Sequence, residues 1–174
     1  MSLNALRSIK RINQRASGFT IVELLIVIVV IGILAAIVIV AFNGISARAT
    51  FTKAQSELSS INKALAAYNT QKGAYPATAV PGTAVWVYSC ESGAANFIPE
   101  LISEGVLKSI PQAPCKNSSD RSDSWVYASD GSGYKLLHIR PDTAVAANAP
   151  EALQDNRYPT NSTWGYWSPD WVNR

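Results

Sequence analysis

Residues 24–42 read LLIVIVVIGILAAIVIVAF, which is 19 consecutive residues without a charge. The nearest charged residues on either side are Glu23 and Arg48. A helix needs about 20 mostly apolar residues to cross the hydrocarbon of a bilayer, so this run predicts a transmembrane helix. The alternative is a cleaved secretory signal with a weak cleavage site at residues 47–49. It is disfavoured because the apolar core of such a signal is shorter.

The charge is distributed unevenly along the 174-residue chain. The first 18 residues contain no acid and four basic residues, Arg7, Lys10, Arg11 and Arg15. Because Lys and Arg are retained on the cytoplasmic side of a span, the N-terminus is predicted to be cytoplasmic and the C-terminal part extracytoplasmic. The other 156 residues carry 11 basic and 12 acidic side chains, so nucleic acid is not indicated as a partner.

Glu23 is an acid at the head of this apolar run. A carboxylate in hydrocarbon is costly unless it lies near the interface, is protonated or is paired. It can lie at the cytoplasmic boundary, or it can pair with a cation, which the intact chain does not offer between Arg15 and Arg48. Cleavage before Phe19 would create an α-amine, protonated at neutral pH, four residues before Glu23 on the same helix face.

The segment from Ser17 to Val27, SGFTIVELLIV, resembles the N-terminal signal of type IV pilins and type II secretion pseudopilins. The resemblance covers roughly residues 15–50. It implies that a prepilin peptidase cuts after Gly18 and methylates the new N-terminus at Phe19. It also implies that Glu23, the fifth residue of the mature chain, acts in assembly. The chain departs from many pilins at Val40, where they have a proline that kinks the helix.

The function implied by this resemblance is that of a structural filament subunit, not an enzyme, which polymerises through its N-terminal helix. The implied partners are the prepilin peptidase, other pilin subunits, an inner-membrane assembly platform with its assembly ATPase, and the lipid bilayer; no cofactor is implied. The implied location is a single-pass membrane protein that becomes a cell-surface filament. A pilus, a secretion pseudopilus and a DNA-uptake fibre remain alternatives within the family.

Two other classes of function also fit a single span. The first is a membrane-anchored extracellular module that binds carbohydrate or a surface partner and does not polymerise. The second is an anchored enzyme, which is disfavoured because the chain has a single histidine, His138, and no recognisable nucleophile motif.

After the apolar run, the hydrophobic pattern becomes periodic. Apolar residues recur at alternating spacings of four and three on one helix face: Ala47, Phe51, Ala54, Leu58, Ile61, Leu65 and Tyr68. This pattern predicts one long helix from about Phe19 to Lys72, ended by Gly73 and Pro76. One face of its second half is therefore expected to pack against a core.

The remaining chain predicts a small sheet. Residues 84–89, 124–128 and 133–139 are β-prone, the last two flank a turn signal at 129–132, and 97–107 predicts a short helix. The expected fold class is α+β, with a long N-terminal transmembrane helix packed on a small antiparallel β-sheet, as in pilins. The expected divisions are a leader (1–18), a transmembrane and assembly half of the helix (19–46), and an extracytoplasmic globular domain (47–174) with a Trp-rich tail from about residue 144.

Two cysteines, Cys90 and Cys115, lie 25 positions apart in the part predicted to be outside the cell, where thiols oxidise. A disulfide is favoured over a reactive thiol, which has no nearby histidine or basic cluster to activate it.

Two further groups of residues leave alternatives open. The carboxylates of Asp120, Asp123 and Asp130 can bind calcium, but their spacing matches no loop motif, so turn formation is favoured and no metal site is predicted. The tail aromatics can stack on a sugar, a base or a protein, or they can pack on the domain, which is favoured. They are Tyr158, Trp164, Tyr166, Trp167 and Trp171.

Overall fold

The computed structural model describes residues 18–78, 85–92, 96–111, 115–116, 119, 121–155, 157 and 163–172. The predicted leader before Gly18, together with Asp120 and Tyr158, lies outside the described residues. The described helices are α1 (Ile21–Lys72), α2 (Ser89–Ser92), α3 (Glu100–Ser103) and α4 (Thr143–Ala146). The described strands are β1 (Val87–Tyr88), β2 (Ser124–Ser129), β3 (Tyr134–Ile139) and β4 (Trp164–Trp167). The chain divides into two units, the first ending at Ala41 and the second beginning at Phe42.

Helix α1 ends where the sequence predicts. Gly73 adopts the left-handed region with a φ of 77°, which glycine tolerates because it has no Cβ. Its backbone N–H donates to the carbonyl of Asn69 at 2.8 Å and closes the last turn. Lys72 adds a positive charge to this turn, and a positive charge is stabilising at the negative end of the helix dipole.

The two parts of α1 differ in what surrounds them. In the first unit, every described residue is exposed. In the second unit, the predicted stripe is buried, and Ala64 joins it: the buried residues are Phe51, Ala54, Leu58, Ile61, Ala64 and Leu65. Ala47 and Tyr68, at the ends of the stripe, are partly buried against the same core. The predicted change from an apolar run to a one-faced helix is therefore confirmed.

The sheet is antiparallel and has the strand order β1-β2-β3-β4. The turn between β2 and β3 is made as the sequence predicts, with Gly131 at a φ of 90°. The carboxylate of Asp130 accepts the backbone N–H groups of Ser132 at 3.0 Å and Gly133 at 3.2 Å. This short polar side chain fixes the turn and, with it, the register of the hairpin.

The second-unit segment of α1 packs on one face of this sheet. The rings of Phe51 and Trp164 lie 4.9 Å apart, and Leu58, Ile61 and Leu65 are fully buried in the same cluster as Trp125 and Leu136. Each such aliphatic side chain contributes about 1.5–3 kcal/mol through burial. The predicted α+β arrangement, a long helix with a small antiparallel sheet, is confirmed.

Two elements are shorter than predicted. Strand β1 covers only Val87–Tyr88, because the chain then turns into α2 and the Ser89 hydroxyl accepts the N–H of Trp125 at 3.0 Å. Helix α3 is confined to Glu100–Ser103, between Pro99 and the left-handed Gly105.

Strand β4 was not predicted from the sequence, because its four residues are interrupted by Gly165. A Cβ at Gly165 would lie 2.1 Å from the carbonyl oxygen of Leu136. Glycine is therefore required for β4 to approach β3 this closely.

The tail packs back onto the second unit, as the favoured alternative predicts. Trp164 and Trp171 are buried, whereas Tyr166 and Trp167 are partly exposed. The close approach of the tail is visible at Gly133, where an added Cβ would lie 2.3 Å from the Trp171 ring.

A buried ion pair joins β3 to the tail. The Nζ of Lys135 lies 3.0 Å from Oδ2 of Asp155, and their side chains are 0% and 1% exposed. The other carboxylate oxygen of Asp155 accepts the N–H of Arg157 at 2.9 Å, and Lys135 also donates to the carbonyl of Val172 at 3.4 Å. Because a buried charge is costly without its partner, this pair ties the tail to the sheet at one position.

Removing one member of this pair should destabilise the second unit. We expect Asp155→Ala to lower the free energy of unfolding by about 3 kcal/mol, since it leaves the Lys135 ammonium buried without its carboxylate. The measurement is chemical denaturation of the full chain in detergent, with tryptophan fluorescence as the signal for unfolding. Asp142→Ala, which breaks the exposed Lys116–Asp142 pair, is the matched control and should change stability by less than about 0.5 kcal/mol.

The double variant Lys135→Met/Asp155→Leu should recover most of the loss, because no unpaired charge remains. Equal stability of wild type and Asp155→Ala would contradict a stabilising role for the buried Lys135–Asp155 ion pair.

Candidate functional site

The N-terminus of α1 is closed by a reciprocal hydrogen-bonded pair, Thr20 and Glu23. The hydroxyl of Thr20 accepts the backbone N–H of Glu23 at 3.2 Å, and Oε2 of Glu23 accepts the backbone N–H of Thr20 at 2.8 Å. The Thr20 hydroxyl also donates to Oε2 at 2.8 Å. This is a capping box, in which two backbone N–H groups left over at a helix start are satisfied.

Sequence reasoning missed the role of Thr20, although its signal was present. Thr-x-x-Glu directly before an apolar run is the sequence pattern of a capping box. It gives the Glu23 carboxylate a hydrogen-bonding partner within its own chain without any cation. The carboxylate also lies at the positive end of the helix dipole, where a negative charge is favoured. The second oxygen, Oε1, takes no part in the capping box.

Beyond the cap, α1 carries a continuous apolar surface. Large side chains from Ile21 to Ile45 are exposed on all sides of the helix, with Leu24 at 57% and Ile37 at 63%. Among the described residues, this is the one helix whose length and composition would allow it to cross a membrane. Soluble proteins rarely leave so large an apolar surface in water, so this surface requires lipid or other protein chains around it.

Gly18 and Phe19 precede the capping box and lie outside the helix. Both are exposed, Phe19 at 83%, and a Cβ at Gly18 would meet nothing within 4 Å. The peptide bond between them is thus accessible, and it lies one residue before the helix cap. A new α-amine at Phe19 would stand next to the pair formed by Thr20 and Glu23.

The predicted cysteine pair is present as a disulfide. Cys90, in α2, and Cys115 are joined with a Cα–Cα distance of 5.6 Å. The bridge ties α2 to the segment that leads into β2. An ion pair stands beside it, between Nε of Arg121 and Oε1 of Glu91 at 2.6 Å.

The acidic residues with an open calcium interpretation have separate roles. Asp130 caps the β2–β3 turn, and Oδ1 of Asp123 lies 2.8 Å from Nε2 of the buried His138. The part of the chain that the structure describes contains no group of three or more His, Cys, Asp or Glu side chains able to hold a metal ion.

Comparison with known proteins gives a consistent result. The family described as "Prokaryotic N-terminal methylation motif" matches residues 13–39. The type II secretion system core protein G of Klebsiella pneumoniae is 35% identical over 102 residues, covering 58% of this chain and 70% of that protein. The protein of the same name in Escherichia coli K12 is 30% identical over 135 residues, covering 76% of this chain and 86% of its own length.

The similarity extends to a pilin. The type IV major pilin protein PilE of Neisseria gonorrhoeae is 27% identical over 146 residues, with 79% of this chain and 86% of that protein covered. No solved structure matches the chain at a significant level.

Loss of the disulfide should destabilise the second unit. We expect Cys90→Ala/Cys115→Ala to lower the free energy of unfolding by about 3–4 kcal/mol, because the bridge closes a loop between residues 25 positions apart. Chemical denaturation with and without reductant measures the effect. Reductant should lower the free energy of unfolding of the wild type and leave that of the double variant unchanged. An equal effect on both proteins would show that the reductant does not act through this disulfide.

Proposed function

This chain belongs to the family of type IV pilins and type II secretion pseudopilins, and from this premise we propose how it acts as the structural subunit of a filament. The observation that carries the proposal is the exposed apolar surface of α1, headed by the capping box of Thr20 and Glu23. We propose a structural and not an enzymatic role, with residues 1–18 as leader, 19–46 as the transmembrane and assembly half, and 47–174 as the extracytoplasmic domain.

Before assembly, the subunit is held in the bilayer by the apolar part of α1. The basic leader residues remain on the cytoplasmic side, so the domain that follows the span lies on the other side. The apolar run is long enough to span the hydrocarbon. In this state the capping box satisfies part of the hydrogen-bonding capacity of the Glu23 carboxylate, which lowers the cost of holding it near the membrane.

Processing then changes the charge at the head of the helix. Prepilin peptidase cuts the exposed bond between Gly18 and Phe19, which removes the basic leader and leaves a cationic amine. Methylation of this amine keeps its charge. At the start of its own helix the amine is disfavoured by the helix dipole, whereas a carboxylate is favoured there. In a site without solvent, the Phe19 amine is therefore stabilised when a carboxylate from another subunit pairs with it.

Assembly moves the apolar helices out of lipid and against one another. Little hydrophobic free energy changes in this transfer, so close packing and polar pairing set the register of the subunits. Glu23 of one subunit pairs with the Phe19 amine of a neighbour, through the oxygen that the capping box leaves unused. A mispositioned subunit leaves both charges unpaired in a dry core and is penalised. Head-to-tail contacts whose rotation does not close into a ring generate an open fibre.

The distribution of burial along α1 supports this choice of assembly surface. The stripe from Phe51 to Leu65 is already buried in the second unit and is not available to other subunits. The exposed apolar surface lies in residues 21–45. The machinery that moves subunits, an inner-membrane platform with its ATPase, is the further partner class that a filament subunit requires.

We predict that protein from the native host begins at a methylated Phe19. Intact-mass measurement of membrane-extracted protein distinguishes this end from the precursor. Gly18→Val should leave the leader attached, because a branched side chain next to the cut bond obstructs a peptidase. Since a Cβ at Gly18 would meet nothing in the chain itself, folding is unaffected. Wild-type protein that retains its first 18 residues would contradict the filament role and favour the membrane-anchored binding module.

We also predict that the charge of Glu23, and not its capping role, is needed for assembly. Glu23→Gln retains a side chain that can complete a capping box but carries no charge. Both Glu23→Gln and Glu23→Ala should insert and fold, yet give filament yields lower by about tenfold or more, because the amine lacks its partner. Filaments are quantified by shearing and electron microscopy.

Thr20→Ala is the matched control, because it removes the cap hydroxyl and keeps the charge. It should still form filaments. Normal filaments in Glu23→Gln, or their loss in Thr20→Ala alone, would contradict the pairing with Phe19.

A further inference from the structure

The face of the sheet opposite α1 contains a cavity that the filament role does not use. Tyr127 and Leu136 belong to the core beneath α1. Their neighbours Val126 and Leu137, which pair with each other across β2 and β3, therefore point to the other face. Together with Ile139 they form the floor of a cavity of about 190 Å³.

Two aromatic side chains form one wall of this cavity. Tyr88 pairs with Val126 across β1 and β2, so Tyr88, Val126 and Leu137 stand in a row across three strands. Trp86, two residues earlier, lines the same cavity. Both aromatic residues are only partly buried, so their rings retain accessible surface.

One face of the Tyr88 ring is covered by Arg121, which holds the ring in place and leaves the other face for a ligand. The guanidinium carbon of Arg121 lies 4.1 Å from its centroid, and Arg121 is in turn bound to Glu91 at 2.6 Å. Glu91 follows Cys90, which the disulfide fixes to Cys115. This chain of contacts orders the wall before any ligand arrives, which reduces the entropy lost on binding.

The remaining lining is polar. Thr163 contributes a hydroxyl and Arg140 a guanidinium, and none of the described residues that line the cavity carries a carboxylate, thiol or imidazole. Such a set does not suit a metal ion, and it lacks the pair of carboxylates that would hydrolyse a glycosidic bond. An apolar floor, an aromatic wall and hydrogen-bonding groups at the edge instead match a ligand with both an apolar face and hydroxyl groups.

We propose that this cavity binds one neutral sugar ring in pyranose form. The ring places its C–H face against Trp86 and Tyr88, and its hydroxyls towards Thr163 and Arg140. The cavity is small, so it accepts a single ring or the end of a longer glycan. With few contacts, the dissociation constant for a monosaccharide is on the order of 1 mM.

The test uses the full chain in dodecylphosphocholine, because detergents with sugar head groups would compete. Methyl β-glucoside, methyl β-galactoside and methyl β-N-acetylglucosaminide are titrated, and binding is detected by saturation-transfer NMR. We expect at least one glycoside to bind, with the strongest saturation on its axial ring protons. Trp86→Ala should weaken that binding about tenfold or more, whereas Tyr88→Phe, which keeps the ring, should change it by less than about threefold.

Val85→Ala is the matched control, since Val85 is 52% exposed and does not line the cavity. It should leave binding unchanged. Near-ultraviolet circular dichroism and thermal unfolding are used to check that Trp86→Ala retains the wild-type fold.

Two results would overturn the proposal. The first is that no glycoside binds at concentrations well above the expected constant. The second is that Trp86→Ala, correctly folded, binds as well as wild type. If no glycoside binds but indole does, the cavity is instead a binding site for an apolar protein side chain.

Discussion

One helix has to satisfy two different surroundings, and this constraint organises the whole chain. For its first half α1 is apolar on every side, which suits lipid or a bundle of identical helices. For its second half it is apolar on one stripe only, and that stripe is buried within the second unit. The sheet, the hairpin turn and the tail all serve to cover the stripe, whereas the exposed half has no covering among the described residues.

Much of this fold follows from the sequence alone, because its signals are local. The periodic stripe, the stop at Gly73 and the turn around Asp130 each depend on a few neighbouring residues. Strand β4 and the Lys135–Asp155 pair were not predictable in the same way. Each depends on partners far along the chain. The sequence around Gly165 or Lys135 does not indicate which distant residue will contact it.

The candidate site shows the same division. Gly18, Phe19 and Glu23 can be recognised from one short segment, because the proposed cleavage site and the acid that follows it are close together in the sequence. The structure adds the detail of how Glu23 is held, through Thr20, in a single chain. The Phe19 amine that Glu23 is proposed to pair with belongs to another copy of the chain. The sequence of one copy therefore contains both the amine and the carboxylate but does not determine the distance between them.

The disulfide has a mechanical consequence for any subunit that carries load. Its cysteines are 25 positions apart, which corresponds to about 85 Å of fully extended chain. A pulling force that unfolds the sheet cannot extend the chain between the two cysteines, because the disulfide carries the force directly from one cysteine to the other. Each stretched subunit would therefore lengthen less than a reduced one, and a fibre made of such subunits would be correspondingly less extensible.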